Sequence, residues 1–276
     1  MTTSPTIAPP LSVTEGPVLL RLDEEGIAHV QLNRPEAANG LNFDLLKALH
    51  EVLLQIHGDS RVRVVLITGN GKNFCAGGDV HTFLSKGEAL PDYIRVVTSY
   101  LQTVAGLLIR LNPPVVVAVQ GFAAGGGGMG LVCCSDFVIA AESAKFLAGA
   151  TRVAMVPDAG VSVTLTQLVG LRKATEILML NPVISAAEAL SMGLITRVVA
   201  DDQLHTQALD LARQLAAGAP KSLANTKRLL WSGIGQGVEQ SMSEENNTQA
   251  LLCATSDALE GLSAVIEKRA PRFTGR

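Results

Sequence analysis

Five glycines in the six positions 125–130 constrain this chain more than any other feature of its sequence. They lie in QGFAAGGGGMGLVCCSD (residues 120–136), between an apolar, β-patterned run (115–120) and an apolar, helix-like run (129–136). Glycine loses more backbone freedom on folding than any other residue, so such a tract needs a use for bare backbone. A second glycine loop, GNGKNFCAGGD (69–79), follows another β-patterned run at 62–68. Each loop ends a strand and offers unencumbered N–H groups near a helix start. Two N–H groups aimed at one oxygen form an oxyanion hole, and a substrate carbonyl can touch backbone only where side chains are absent.

The tract also contains Gly125-x-Gly127-x-x-Gly130, the literal spacing of a dinucleotide-binding turn. That motif needs an acidic residue about twenty positions on, closing a second strand. The next strand, FVIAA, instead leads to Glu142 after only a few residues. A nicotinamide site is therefore disfavoured.

Around the two loops the pattern is α/β. Runs at 18–23 and 27–33, joined at Glu24-Glu25-Gly26, read as a hairpin. Asn42 caps a helix whose Leu45, Leu46, Leu49, Leu53 and Ile56 share one face before Gly58. Helical segments run on to Asn112 and end at Pro113-Pro114; strands are expected at 137–141, 144–147 and 194–200. Ser185 and Glu188 form a capping box. From Asp201 the pattern is helical to Arg269, with breaks at 218–220, 233–237 and 255–256. Strands alternating with helices and glycine loops suggest stacked ββα turns followed by a helical tail.

Composition narrows the classes of partner. At 47% hydrophobic and 17% charged residues, the chain can bury an aliphatic core and some subunit surface. The formal charge of −3 without a basic cluster argues against nucleic acid. No apolar run approaches the about eighteen residues of a membrane span. Cys75, Cys133, Cys134 and Cys253 show neither C-x-x-C nor metal-ligand spacing, so no disulfide framework and no metal site is expected. MTTSPTIAPPLS lacks targeting features, so residues 1–14 are expected to be a flexible tail and the location cytoplasmic.

Five segments, NRPEAANGLN (33–42), FCAGGD (74–79), PPVVVAVQGFAAGGGG (113–128), VPDAG (156–160) and EGLSAVIEKRAPRF (260–273), resemble in order and spacing the crotonase (enoyl-CoA hydratase/isomerase) superfamily. The resemblance runs from about residue 16 to 276 and is closest to the epoxyphenylacetyl-CoA isomerase branch, which LVGLRKATEIL and EKRAPRF also resemble. It implies a spiral of ββα repeats over residues 15–200 and a helical trimerisation region over 201–276. It further implies a trimer or dimer of trimers and acyl-CoA thioester substrates, with coenzyme A arriving as part of the substrate and no separate cofactor. The oxyanion donors it implies are the backbone N–H groups of Gly78 and Gly127; the tract is one glycine longer than usual, which leaves Gly126 as the alternative. CoA and substrate contacts are implied at Arg34, Glu36 and Ala37, largely through backbone, at Ala76, Asp79 and Val80, and at Lys268, which matches a position reaching a neighbouring subunit's CoA phosphate.

Hydratases of the family carry two glutamates, and the matching positions here are Gly130 and Ala150. Neither can hold water, which directs attention to Asp158, where isomerases of the family place a single acid that moves a proton between C2 and C4 of a 3-enoyl-CoA. An apolar setting of Val153, Met155, Val156 and Val161 would raise its pKa. Structural alternatives stand beside each assignment. Asp158 is a good helix N-cap, Asp79 a loop brace or cap, Asp136 a structural acid, His81 a surface residue and Lys268 a solvated charge. The expected activity is enoyl-CoA isomerisation; the alternatives are enoyl-CoA hydration and a non-catalytic CoA-binding or assembly subunit. Residues 84–100 are expected to cover the acyl pocket.

Overall fold

The short apolar alternations near the N-terminus become a sheet edge in a computed structural model of the chain, which describes residues 11–235 and 238–276. β1 (Ser12–Val13) pairs antiparallel with β2 (Val18–Leu22), and β2 pairs antiparallel with β3 (Ile27–Leu32) through the expected turn, where Gly26 takes φ +82°. The expected tail at 1–14 is thereby corrected at its end. Leu11 and Val13 pack against the core, and Ser12 and Val13 add a strand, while positions 1–10 lie outside the described residues.

Along the chain follow α1 (Phe43–Gly58), β4 (Val64–Gly69), α2 (Val80–Leu84), α3 (Leu90–Arg110), β5 (Val115–Val119), β6 (Phe122–Ala124), α4 (Gly125–Cys133), β7 (Phe137–Ala141) and β8 (Lys145–Leu147). Then come α5 (Val161–Val169), α6 (Leu171–Leu180), β9 (Ile184–Ser185), α7 (Ala186–Ser191), β10 (Arg197–Val199), α8 (Leu204–Ala216), α9 (Pro220–Ser232), α10 (Val238–Cys253) and α11 (Ser256–Glu267). The large sheet has the order β1-β2-β3-β4-β5-β7-β10 and is parallel from β3 onward. Its interior strand β5, VVVAV, is buried at every position, as a parallel strand covered on both faces must be. A small sheet has the order β6-β8-β9.

The two sheets are linked by repetition. After β5 the chain adds β6 to the small sheet and enters α4; after β7 it adds β8 beside β6. The segment after β4 makes the same move in reduced form, a single bridge from Cys75 to Ala123 of β6. Three strand-to-strand turns thus stack one above another, giving the expected α/β spiral of ββα repeats. α8 packs against β4, β5 and β7, and helices continue to the C-terminus.

The glycine tract departs from expectation. Instead of a loop before a helix at 129–136, Gly125 to Gly128 are the first turn of α4 itself. Tertiary packing outweighs the poor helix propensity of glycine here, because only bare backbone fits what surrounds that turn.

Candidate active site

Two parallel bridges bring the glycine segments together. Cys75 spends both main-chain groups on the β6 side, its N–H donating to Phe122 O (3.0 Å) and its carbonyl accepting from Ala124 N (2.8 Å). At Leu41 the Leu41 N–H donates to Gly77 O (2.7 Å), and Asp79 N–H donates to Leu41 O (3.0 Å). This bridge uses the groups flanking Gly78, so the Gly78 amide is turned the other way, and it has no acceptor among the described residues. The neighbouring Gly77 N–H is directed at the Cys75 thiol, whose burial pushes it up to about 12 and leaves it inert at neutral pH.

α4 supplies the facing donors. Its N-cap, Ala124, gives its N–H to Cys75 O, whereas the N–H groups of Gly125, Gly126 and Gly127 precede the first carbonyl available within the helix. The absence of side chains follows from the neighbours. A Cβ on Gly125, which has φ +63°, would lie 3.0 Å from Gly77 Cα. One on Gly127 would lie 2.8 Å from Leu41 Cγ, and one on Gly128 would lie 2.9 Å from the Ala123 carbonyl carbon. Gly126 and Gly130, four residues apart, present another face of α4 to the turn at 158–161. At Gly126 a Cβ would stand on the Asp158 carboxylate, and at Gly130 it would lie 2.6 Å from Ala159 Cβ. Bare backbone lets one helix end meet both the 76–78 loop and the Asp158 turn.

Asp158 sits between a 3₁₀ turn (Ala150–Val153) and α5. It does not cap α5. The N-cap is Gly160, at φ +75°, and the Asp158 carbonyl, not its side chain, accepts from Val161 N (2.9 Å). The expected alternative of a helix-capping Asp158 is thus corrected; Ala159 and Gly160, both left-handed, carry the chain past the helix end with the carboxylate on the cavity side. Its Oδ1 is buried without a hydrogen-bond partner among the described residues. Burial raises its pKa above the ordinary aspartate value, against a smaller downward pull from its own N–H.

Gly78, Gly126, Gly127 and Asp158 all line one cavity of about 420 Å³. Its walls are aliphatic. Leu84, Leu90, Ile94 and Val97 come from the 84–100 segment expected to cover it and Leu101 from just beyond, and Val153, Met155 and Val156 flank Asp158. Val161 is instead buried behind the turn and does not line it. Asp158 is the one carboxylate on this wall among the described residues.

Other residues singled out in the sequence fall around this centre. Ala76 and Val80 line the cavity. Asp79 caps α2 by accepting from Thr82 N (3.0 Å) and pairs with Arg34 Nη2 (3.0 Å). Burial pushes the Asp79 carboxyl up, but the Thr82 bonds and the Arg34 guanidinium outweigh it and hold it below the usual value. Arg34 also donates to Gly40 O (2.6 Å), so its side chain braces the loop. The turn Pro35–Ala37, carrying the exposed Glu36, is tied to the same loop by Ala76 N–H donating to Ala38 O (3.0 Å). Lys268 is the exposed C-cap of α11 and does not line the cavity of a single chain. Asp136 is structural, held by Lys227 and Trp231. Sequence reasoning passed over Phe83 and Arg152, which also line the cavity; neither sits in a motif that would have marked it.

A family model described as enoyl-CoA hydratase/isomerase matches residues 23–276. The chain is 34% identical over 254 residues to the 1,2-epoxyphenylacetyl-CoA isomerase of Escherichia coli (strain K12), covering 92% of this chain and 97% of that protein. It is 33% identical to the crotonyl-CoA hydratase of Syntrophomonas wolfei, covering 92% and 96%. Among solved structures, an enoyl-CoA hydratase from Bacillus anthracis superposes with a TM-score of 0.89 at 32% identity, covering 95% of this chain and all of that one. The chain belongs to the enoyl-CoA hydratase/isomerase family.

Proposed function

We propose that this member of the enoyl-CoA hydratase/isomerase family is an enoyl-CoA isomerase that moves a double bond by carrying one proton from C2 to C4 on Asp158. In this reading the thioester oxygen of a 3-enoyl-CoA lies against the Gly78 amide and the first-turn amides of α4, Gly127 with Gly126 as the alternative. Negative charge that develops on this oxygen when C2 loses its proton meets two fixed dipoles in a site poor in water; removing one such donor costs about 10²–10³ in rate. Asp158 takes the proton from C2 and returns it at C4, leaving the conjugated 2-enoyl-CoA. No water is consumed.

The observation that carries the reading is the solitary, buried carboxylate. Oδ1 of Asp158 has no hydrogen-bond partner among the described residues, and burial raises its proton affinity, which is what a group that must both accept and give back a proton requires. Water addition in this family uses two glutamates, and position 130 here has no room for any side chain beside Ala159. CoA contacts at Arg34, Glu36, Ala37, Ala76, Val80 and Lys268 belong to the same proposal. Lys268 serves a neighbouring subunit in it, since the residue is remote from its own cavity.

The name of the Syntrophomonas wolfei relative favours enoyl-CoA hydration as the second reading. One experiment separates them. Purified protein given 3-hexenoyl-CoA is expected to form 2-hexenoyl-CoA without accumulating 3-hydroxyacyl-CoA, and Asp158→Asn is expected to lower that rate by about 10²–10⁴. Robust hydration of crotonyl-CoA that survives Asp158→Asn contradicts the isomerase reading.

A further inference from the structure

Phe83 stands where the substrate's reacting end has to pass. It lies in α2, whose start is fixed by the Asp79 cap, and its N–H donates to Asp79 O (2.9 Å). A Cβ built on Gly78 would lie 2.5 Å from Phe83 Cε2 and 2.7 Å from Cζ, so the ring edge occupies the space beside the Gly78 backbone that a side chain at 78 would fill. The ring is not free to swing away. It packs edge-on against Tyr93 (centroids 6.1 Å apart), and Tyr93 is fixed in turn by accepting from Phe43 N (3.1 Å) and by the Lys86 ammonium over its face (4.5 Å).

This wall is adjacent to the amide that holds the thioester oxygen in the proposed reaction. C2 of the acyl group is one bond from the carbon bearing that oxygen, so its substituents are the atoms that meet the ring edge. On the other side stand Asp158 and the α4 backbone, which close together across Gly126. Elsewhere the cavity is lined by flexible aliphatic side chains such as Leu84, Ile94 and Met155, which can yield to an acyl chain as a fixed aromatic ring cannot.

Resting on the enolate site described above, we propose that Phe83 is a specificity-determining residue: it narrows the channel at C2, so that the protein takes acyl-CoA thioesters with an unbranched CH2 at C2 and rejects those carrying a substituent there. The pairing of Gly78 with Phe83 explains both residues at once. Glycine at 78 lets the ring close in, and the ring replaces a small side chain with a rigid aromatic edge.

The test is binding of butanoyl-CoA and 2-methylpropanoyl-CoA to the full chain by calorimetry, with isomerisation of 3-hexenoyl-CoA followed on the same protein preparations. Wild-type protein is expected to bind the branched ester about 10-fold or more weakly than the straight one, the discrimination typical of one methyl group in a tight pocket. Phe83→Ala is expected to bring the two affinities together, mainly by improving the branched ester. Phe83→Leu, which keeps packing against Tyr93, is expected to shift the ratio in the same direction by less, and serves if the alanine variant does not fold. Equal affinities in the wild type, or an unchanged ratio in both variants, overturns the assignment of Phe83. A ratio that shifts as expected while 3-hexenoyl-CoA is not isomerised leaves the channel assignment standing and removes the proton-transfer reading instead.

Discussion

Among single residues, the placement of the acid depends on the contact between Asp158 and Gly126. A methyl at 126 stands on the carboxylate oxygen, and alanine suits the second position of a helix, so Gly126→Ala is expected to keep the fold and turn the acid out of the cavity. Isomerisation should fall about as far as in Asp158→Asn, by roughly 10²–10⁴, with an unchanged far-ultraviolet dichroism spectrum; full activity in Gly126→Ala would mean the carboxylate is not used where it lies. The raised pKa of Asp158 adds a second expectation. The folded chain binds the Asp158 proton more tightly than the unfolded chain, so this group's stabilising contribution is complete below the unfolded value of about 3.9 and is lost as pH rises through the folded value. Asp158→Asn should therefore be more stable than wild type at neutral pH, by on the order of 1 kcal/mol, and the difference should disappear in acid, as measured by denaturant unfolding across pH. In the wild type, the acid limb of the rate profile should lie above the range of an ordinary aspartate. Much of this site was legible in the sequence. The FCAGGD and VPDAG segments, and the missing acids at 130 and 150, pointed to Asp158. What a linear pattern could not convey is that Gly126 and Gly130 are glycine because the turn at 158–161 leans on them, or that Phe83 reaches back five residues onto Gly78.

At the scale of elements, a buried ion pair fastens α9 to the sheet. Lys227 and Asp136 meet at 2.7 Å with side chains 5% and 13% exposed. Asp136 also accepts from Val115 N (2.8 Å), at the start of β5, and from Trp231 Nε1 (3.1 Å). Burial lowers the Lys227 pKa, partly offset by Asp136, and its ammonium also donates to Leu108 O (2.7 Å). Asp136→Ala would leave that cation buried without its counter-ion, so thermal and urea unfolding should show a loss of about 3–5 kcal/mol. A loss below about 1 kcal/mol, the range of exposed pairs, would show that water reaches the pair. Elements with strong local signals were readable from the sequence. α1 begins at the predicted Asn42 cap, where Leu45 N donates to Asn42 Oδ1 (3.0 Å), and the Ser185–Glu188 capping box is present. Elements set by tertiary contact were not. The helical start of the glycine tract depends on the 76–78 loop and Asp158 turn packed against it, and β1 depends on the edge offered by β2.

At the scale of the whole molecule, the described residues leave large apolar side chains exposed on late helices. Leu171, Met179 and Leu180 of α6 are 70–74% exposed, and Val265 and Ile266 of α11 are 78% and 81% exposed. Exposed apolar surface of this kind marks contact with another protein surface. We propose from this surface, and from Lys268 not lining its own cavity, that the chain self-associates, with the trimer or dimer of trimers expected from the family resemblance as the state to test. Sedimentation at micromolar concentration should give three or six chains per particle, and Ile266→Glu should shift the distribution to smaller species; a monomer unaffected by Ile266→Glu would contradict this. No described helix is long and apolar enough to cross a membrane.

The most direct test follows deuterium placed at C2 of 3-hexenoyl-CoA into its product in ordinary water, with wild-type protein and with Asp158→Asn. Conjugated 2-hexenoyl-CoA should form with part of the C2 deuterium carried to C4, and its formation should fall about 10²–10⁴-fold in the variant. Product forming at the wild-type rate in Asp158→Asn, or wild-type product with no C2 deuterium at C4, would contradict proton transfer through Asp158.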